Sequence, residues 1–416
     1  MKIVAIPVGT GGVAWYRIRQ PYTYLRDVLG KDIFIYESDK HDPSRLMHEI
    51  EDADIIVYQM PYSEMMRDAV RAIHKNNQIK GRRKRKVVAE FDDYIFGVSP
   101  WNDKYDNFGT NEMSVTYSRP EDIEAIKSSG LKEWQKEVKN PDGSSTFTMW
   151  KDGKDGFDIQ RNLAKLKAAS EIISEVDLLT TTTEQLAVQL RKYRPVGKIA
   201  VLPNLIDFDR YLPMKKSDTF TIGYQGGSAH FADLALISSE IVEFMKKYPE
   251  TKLRIAGIQF TSLFKEVADR VTWIPWHGDI ETYPLTVRDL ACDVAICPLV
   301  KDSFNMAKSP LKWEEMSAMR VPCICSPVVY DKFIEHGKDG LIAREGEWVK
   351  CLEELMNNPV KRELMAELAY KRVKSRYGLE NAKMLWTAFQ DLVFGKDTGT
   401  KDNIFKFKPE TELVFN

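Results

Sequence analysis

The sequence predicts an α/β protein built from two Rossmann-like, doubly wound domains that face one another across a cleft. Three observations carry that expectation. Short runs rich in Val, Ile and Ala alternate with helical patterns along most of the 416 residues, as parallel strands joined by helical crossovers do. A strand, a glycine turn and a helix open the chain, in KIVAIPVG with Gly9-Thr10-Gly11-Gly12, and the same device returns in TFTIGYQGGSAHFADL from Thr219 to Leu234. The length also exceeds one ordinary domain and favours two.

Composition narrows the class. With 43% hydrophobic and 29% charged residues the chain can bury real cores, and a formal net charge of −1 excludes a globally basic nucleic-acid binder. Met1 to Val8 is apolar but short and runs into the glycine turn, so it reads as a first strand and not as a signal peptide. No stretch approaches the ~20 apolar residues of a membrane span. Cys292, Cys297, Cys323, Cys325 and Cys351 lie mostly in apolar runs and read as reduced, buried thiols of a cytoplasmic protein. Cys323 and Cys325 share one strand face, yet no second Cys/His pair at zinc-like spacing accompanies them, so no metal is expected.

The first domain is read over residues 1–207. Gly9, Gly11, Ala14 and the later Glu37 mimic a dinucleotide fingerprint, which keeps an NAD-dependent oxidoreductase as the alternative of another class. Trp15, Tyr16, Arg17 and Pro21 intervene where such a site wants its helix to begin, and these bulky groups suit a cleft wall better. ADIIVYQMP is the next strand. RKVVAEFDD follows and sets Asp92 and Asp93 at a strand's C-terminal end, where open parallel sheets bind ligands; capping of the following turn is an equal alternative. The basic run Gly81 to Lys86 precedes that strand, which puts it at the opposite sheet end as a solvated turn. Residues 99–160 mix aromatic residues with Asp, Gly and Asn and read as an insertion beside the cleft.

The second domain is read over 208–394. Gly226, Gly227 and Ser228 offer backbone donors to a diphosphate, with His230 at the helix start behind them. Trp273, Trp276 and His277 either flank a nucleobase or pack against a neighbouring helix. The organising stretch is NMAKSPLKWEEMSAMRVP, from Asn305 to Pro322. Ser309 reads as an N-cap and Pro310 as a first-turn proline. The helix follows the strand DVAICPL, so its N–H groups and positive dipole end favour an anion there. Lys308 and Lys312 add charge, and Glu315 is placed to accept hydrogen bonds from a diol such as ribose. An ordinary amphipathic helix fits the same residues. Helices continue to Phe394, and 395–416 is a tail without recognisable chemistry.

At Lys312, Glu315, Ala318 and Pro322 the chain resembles the retaining glycosyltransferases of the GT-B architecture, of group 1 or family 4-like type, whose donor site carries a Lys-x-x-Glu-x-x-Ala-x-Gly-x-Pro-like run. Asn305, Lys308 and Ser309 match an Asn-x-x-Lys-Ser variant, while Ala307 and Arg320 stand where the family usually has glutamate and glycine. The Gly-Gly turn followed by Tyr16, Arg17 and Pro21, together with Thr183 and Asn204 near the cleft, extends the resemblance. It implies sugar transfer, with retention and without a metal, from a nucleotide-diphosphate sugar such as a UDP-sugar to an acceptor hydroxyl. No cofactor is implied beyond that co-substrate. The resemblance assigns donor contacts to Gly226, Gly227, Ser228, His230, Asn305, Ser309 and Lys312 and acceptor contacts to Gly11, Gly12, Tyr16 and Arg17. It assigns the chemistry to Lys308 and Glu315, with Asp92 and Asp93 on the acceptor hydroxyl, and returns the last helix to the first domain. The acceptor is a glycan or, as in phage-encoded members, a hydroxymethylated base in DNA.

Overall fold

A computed structural model of the protein describes residues 1–128, 131–276, 278–395 and 404–406. The first half contains β1 (Ile3–Ile6), β2 (Ile33–Ile35), β3 (Ile55–Gln59) and β4 (Lys86–Phe91). Three strands of the insertion follow, β5 (Met113–Tyr117), β6 (Glu137–Lys139) and β7 (Ser145–Trp150), and then β8 (Leu178–Thr181) and β9 (Lys198–Val201). The second half contains β10 (Thr221–Gly226), β11 (Lys252–Gly257), β12 (Val271–Ile274), β13 (Val294–Cys297), β14 (Cys323–Cys325) and β15 (Leu341–Ile342), and β16 (Ile404–Lys406) comes last.

Two parallel sheets result. The second runs β12-β11-β10-β13-β14-β15, the strand order of dinucleotide-binding folds, and the first runs β16-β9-β8-β4-β3-β1-β2, the flavodoxin-like order with added strands. The order reverses between β1 and β3 in one sheet and between β10 and β13 in the other. Loops leaving β1, β10 and β13 therefore open at the crevices that such reversals create. The strands read as continuous apolar runs because helices cover both faces; every residue of β3 is buried. Helix starts are fixed locally, as where the Ser63 hydroxyl accepts from Met66 N–H and the Asp158 carboxylate from Arg161 N–H.

Each half contributes to the other's core. Tyr16, from the segment after β1, is buried with Leu299, Trp313 and Met316 of the second half. Phe304 and Ala307, from the loop after β13, are buried with Ile95 and Leu186 of the first. The helix Lys383–Phe394 sets Met384, Leu385 and Phe389 against Ile3, Ala5 and Ile18. Within residues 99–160 the strands pair antiparallel in the order β5-β7-β6, anchored by buried Phe147 and by Trp150 Nε1–H donating to Pro100 O at 2.7 Å. The tail holds structure the sequence does not announce, since β16 pairs in parallel with β9. Its other residues from 396 onward, and His277, lie outside the described residues. No helix among the described residues is long and apolar enough to cross a membrane.

Two local expectations need correction. Ser309 does not cap the helix: the helix spans Leu311–Ala318, Pro310 is its N-cap, and no side chain caps it. The Ser309 hydroxyl instead accepts from Asn204 Nδ2 at 2.9 Å, because the first half packs over this turn. Arg320 shows why glycine is usual at its position, for its φ is +59°, a left-handed conformation that costs an L-residue ~1–2 kcal/mol. The side chain offsets this by lying over the Tyr370 ring at 3.8 Å and pairing with Glu367. In urea titrations Arg320→Ala should lose about 1 kcal/mol, since the contacts go and the backbone cost stays. Arg320→Gly should come out about 1 kcal/mol above the alanine variant.

Candidate functional site

A cavity of about 950 Å³ lies between the halves, lined by the loops after β1, β4, β10 and β13, a size suited to a nucleotide-sugar ligand. Gly11, Gly12, Tyr16, Arg17, Asp92, Asp93, Gly226, Gly227, Ser228, His230, Lys308, Ser309, Lys312 and Glu315 all line it. Asn305 does not line it: its side-chain amide donates to Asp233 Oδ1 at 3.1 Å and to Val300 O at 3.0 Å, bracing the wall from behind.

On the second-half side the groups favour an anion. The uncapped N-terminus of Leu311–Ala318 opens onto the cavity beside the Gly226–Ser228 turn. Lys312 lines the wall, and its ammonium is buried with no hydrogen-bond partner, 4.9 Å from the Tyr224 ring centroid. Burial pushes Lys312 down to about 8. The Lys308 ammonium sits 5.0 Å from the Phe304 ring centroid. His230 Nδ1 bonds the Asp233 carboxylate at 2.7 Å, while burial and the charges of Lys308 and Lys312 hold it well below the usual imidazole range. His230 is thus a neutral group near pH 7 and the lysines are the cations. The insertion reaches this side too, as the Ser228 hydroxyl donates to Asp103.

On the first-half side two carboxyl groups diverge. Asp93 accepts from Lys104 Nζ at 2.6 Å; burial raises it, but the charges of Lys104 and Lys308 outweigh that and bring it below the usual carboxylate value. Asp92 has one buried oxygen without a partner, and burial followed by the Asp93 charge pushes it up to about 7. Arg17 faces inward: its Nε donates to Glu90 at 2.6 Å and its guanidinium also reaches Leu202 O, so it is committed to a buried ion pair. In the basic run Arg83 pairs with Asp52 and Asp54 and Lys86 with Asp177.

Glu315 is surrounded by donors. Its Oε1 accepts from Tyr16 Oη at 2.5 Å and its Oε2 from Gln225 Nε2 at 2.7 Å; the Tyr211 and Tyr283 hydroxyls stand 3.4 and 3.0 Å away, with Tyr211 also bonded to Tyr16 and Tyr283 donating to the Gln225 carbonyl oxygen. Burial raises its pKa, opposed by the bonds from Tyr16, Gln225 and Tyr283. Tyr211, Gln225, Tyr283, Asp103 and Lys104 are site residues that sequence reasoning missed. Gln225 and Lys104 directly adjoin recognised features, the glycine turn and the aromatic insertion, but the tyrosines carry no local signal.

The Cys323 and Cys325 thiols are joined by Cys297, all three buried with sulfur atoms within 4.8 Å of one another. Register explains the cluster, since Cys297 pairs with Cys325 across β13 and β14. Among the described residues these are the grouped side chains able to hold a metal, and they lie in the core.

No family model and no curated protein matches the chain. Among solved structures it is similar to sucrose-phosphate synthase from Thermosynechococcus elongatus, with a TM-score of 0.59 at 14% identity over 95% of this chain and 100% of that one. It is also similar to Anabaena HepE in complex with UDP and glucose, with a TM-score of 0.54 at 12% identity over 94% and 99% of the two chains. A variant of S. aureus TarM in complex with fondaparinux, α-GlcNAc-glycerol and UDP aligns with a TM-score of 0.51 at 12% identity, over 84% of this chain and 58% of that one. Two parallel sheets with their crevices turned toward one cleft, shared with these enzymes along nearly the whole chain, give this protein the GT-B fold.

Proposed function

We propose that the protein transfers a sugar from a nucleoside diphosphate sugar to an acceptor hydroxyl. The observation that carries this reading is the buried, unpartnered Lys312 ammonium, set beside Lys308, the Gly226–Ser228 turn and an uncapped helix N-terminus in one wall of the cleft. A buried cation without a partner is costly, and a diphosphate supplies the missing charge. In the reaction the bond between the sugar's anomeric carbon and the phosphate oxygen breaks, its electron pair staying on the diphosphate. The acceptor oxygen forms the new bond and gives up its proton. Amide donors and the two lysines stabilise the charge that grows on the leaving group, more in the transition state than before it. This leaves no step that requires a metal. The resemblance across Lys312 to Pro322 favours retention.

Asp92 is the group on the acceptor side that takes the hydroxyl proton, being buried, with an unpartnered oxygen, and poised near neutrality. A glycan hydroxyl is the acceptor favoured here. The chief basic run lies at the sheet end opposite the cleft, with Arg83 and Lys86 in ion pairs, which counts against DNA as the acceptor. The dinucleotide alternative is weakened because Glu37 is paired with Lys40 at 3.0 Å and Arg19 at 3.4 Å.

A screen of UDP-, GDP- and ADP-sugars by thermal denaturation tests the reading directly: one nucleotide series should raise Tm, because a ligand bound only by the native state stabilises it. If none does, while a nicotinamide dinucleotide does, the assignment is wrong. Lys312→Met should raise Tm in the absence of ligand, by removing an unpaired buried charge, yet lower transfer by roughly 100-fold. The kcat/KM profile should be bell-shaped. Its rising limb lies near pH 7 as Asp92 ionises, and its falling limb near pH 8 as Lys312 loses its proton. Asp92→Asn should abolish the rising limb and lower the plateau.

A further inference from the structure

We infer that Asn204 is a positioning residue, supplied by the first half, that aims the Ser309 hydroxyl proton at the donor's diphosphate. The inference rests on the nucleotide-sugar reading above and concerns the same site. Both side chains line the cleft, and the Asn204 amide donates from Nδ2 to Ser309 Oγ at 2.9 Å. Its oxygen, Oδ1, accepts from Arg17 Nη1 at 3.3 Å.

The direction of each proton follows from the chemistry of the groups. A guanidinium only donates, so the amide turns its oxygen to Arg17 and its NH2 to Ser309. An NH2 group also only donates, so Ser309 Oγ accepts and its own proton points elsewhere. Among the described residues no protein group takes that proton, and the hydroxyl borders the cavity. It stands between Lys308 and the uncapped N-terminus of Leu311–Ala318, where the function proposed above puts the diphosphate. A hydroxyl held as a donor is preorganised for the charge that grows there, unlike one free to rotate.

Arg17 makes the arrangement rigid. It is 6% exposed, its Nε donates to Glu90 Oε1 at 2.6 Å and its Nη1 also donates to Leu202 O at 2.6 Å. Glu90 accepts in turn from the Thr180 hydroxyl. The ends of β4 and β8 thus fix a guanidinium, the guanidinium fixes an amide, and the amide reaches across to the second half. Asn204 and Ser309 lie 105 residues apart, so the hydroxyl is aimed only while the halves are together.

A double-mutant cycle on nucleoside diphosphate binding tests this. Calorimetric titration of the full chain with UDP, GDP and ADP identifies the base that binds, and the Kd of that nucleotide is compared in Ser309→Ala, Asn204→Asp and the double variant. Aspartate keeps the size of asparagine and still accepts from Arg17, but its other oxygen takes the Ser309 proton away from the ligand. Ser309→Ala should therefore weaken binding about tenfold in the parent and less than about threefold in the Asn204→Asp background. Repulsion between the new carboxylate and the diphosphate is present in both aspartate chains and cancels in that factor. A merely structural Asn204 would leave the Ser309→Ala factor unchanged, so equal factors in the two backgrounds would overturn the inference. A factor below about threefold in the parent would overturn it too. Should Asn204→Asp lack a cooperative thermal transition, Asn204→Ala takes its place with the same two factors expected, since it also removes the group that aims the hydroxyl. If none of the three nucleotides binds the parent, the donor-site reading falls and this inference with it.

Discussion

One buried carboxylate joins the two halves of this molecule. Glu315 is 2% exposed, and removing its charge from water costs several kcal/mol. Hydrogen bonds from Tyr16 and Gln225 offset part of that cost, each charge-assisted bond contributing roughly 1.5–3 kcal/mol, and the Tyr211 and Tyr283 hydroxyls lie beside them. The four groups arrive from the segment after β1, from the connection at Tyr211, from the end of β10 and from the helix Tyr283–Arg288. Its neighbour Glu314 marks the contrast. Glu314 is fully buried and neither oxygen has a partner, so burial and the Glu315 charge push it well above the usual carboxyl range and it stays protonated. Adjacent residues on one helix point about 100° apart, and only one of the two directions leads to donors.

The cleft beyond that junction balances its charge in the absence of ligand. Lys104 sits on Asp93, Ser228 is held by Asp103, and Asp233 lies in the field of Lys308 and Lys312. A site so arranged avoids a large uncompensated field, yet keeps one ammonium, that of Lys312, without a hydrogen bond. An anion entering the cleft would thus meet a cation whose partner is missing. The same residues set the acidities on the acceptor side: Lys104 and Lys308 favour ionised Asp93, and the Asp93 charge in turn holds a proton on Asp92.

Much of this was legible in the chain because it is local. Glycines after apolar runs marked the loops leaving β1 and β10, the β4 strand delivered Asp92 and Asp93 to the cleft, and Lys308 and Lys312 sat at a helix start. What failed was decided by partners far away in sequence. Ser309 reads as a cap until Asn204 takes its hydroxyl; Asn305 reads as a ligand contact until Asp233 holds it behind the wall. Tyr211 and Tyr283 have no pattern to betray them, since a tyrosine in a connection or on a short helix looks the same whether its hydroxyl meets water or a carboxylate. Arg320 is the opposite case, a visible departure whose backbone explains the usual residue.

The remaining contacts between halves form a graded series. At the rim, Gln189 donates to Ser303 O, Ser303 to Gly97 O and Ser228 to Asp103, all of them exposed. Exposed bonds of this kind exchange with water at a net cost of about 1 kcal/mol each. Further in, Thr183 donates to Ala307 O at 3.0 Å in a buried setting, with Phe304 packed beside it, and at the centre lies Glu315. Opening the rim loses little, whereas opening the centre takes from a buried carboxylate its hydrogen bond from Tyr16. The contacts at the rim are therefore the cheaper ones to lose, and those at the centre the costlier.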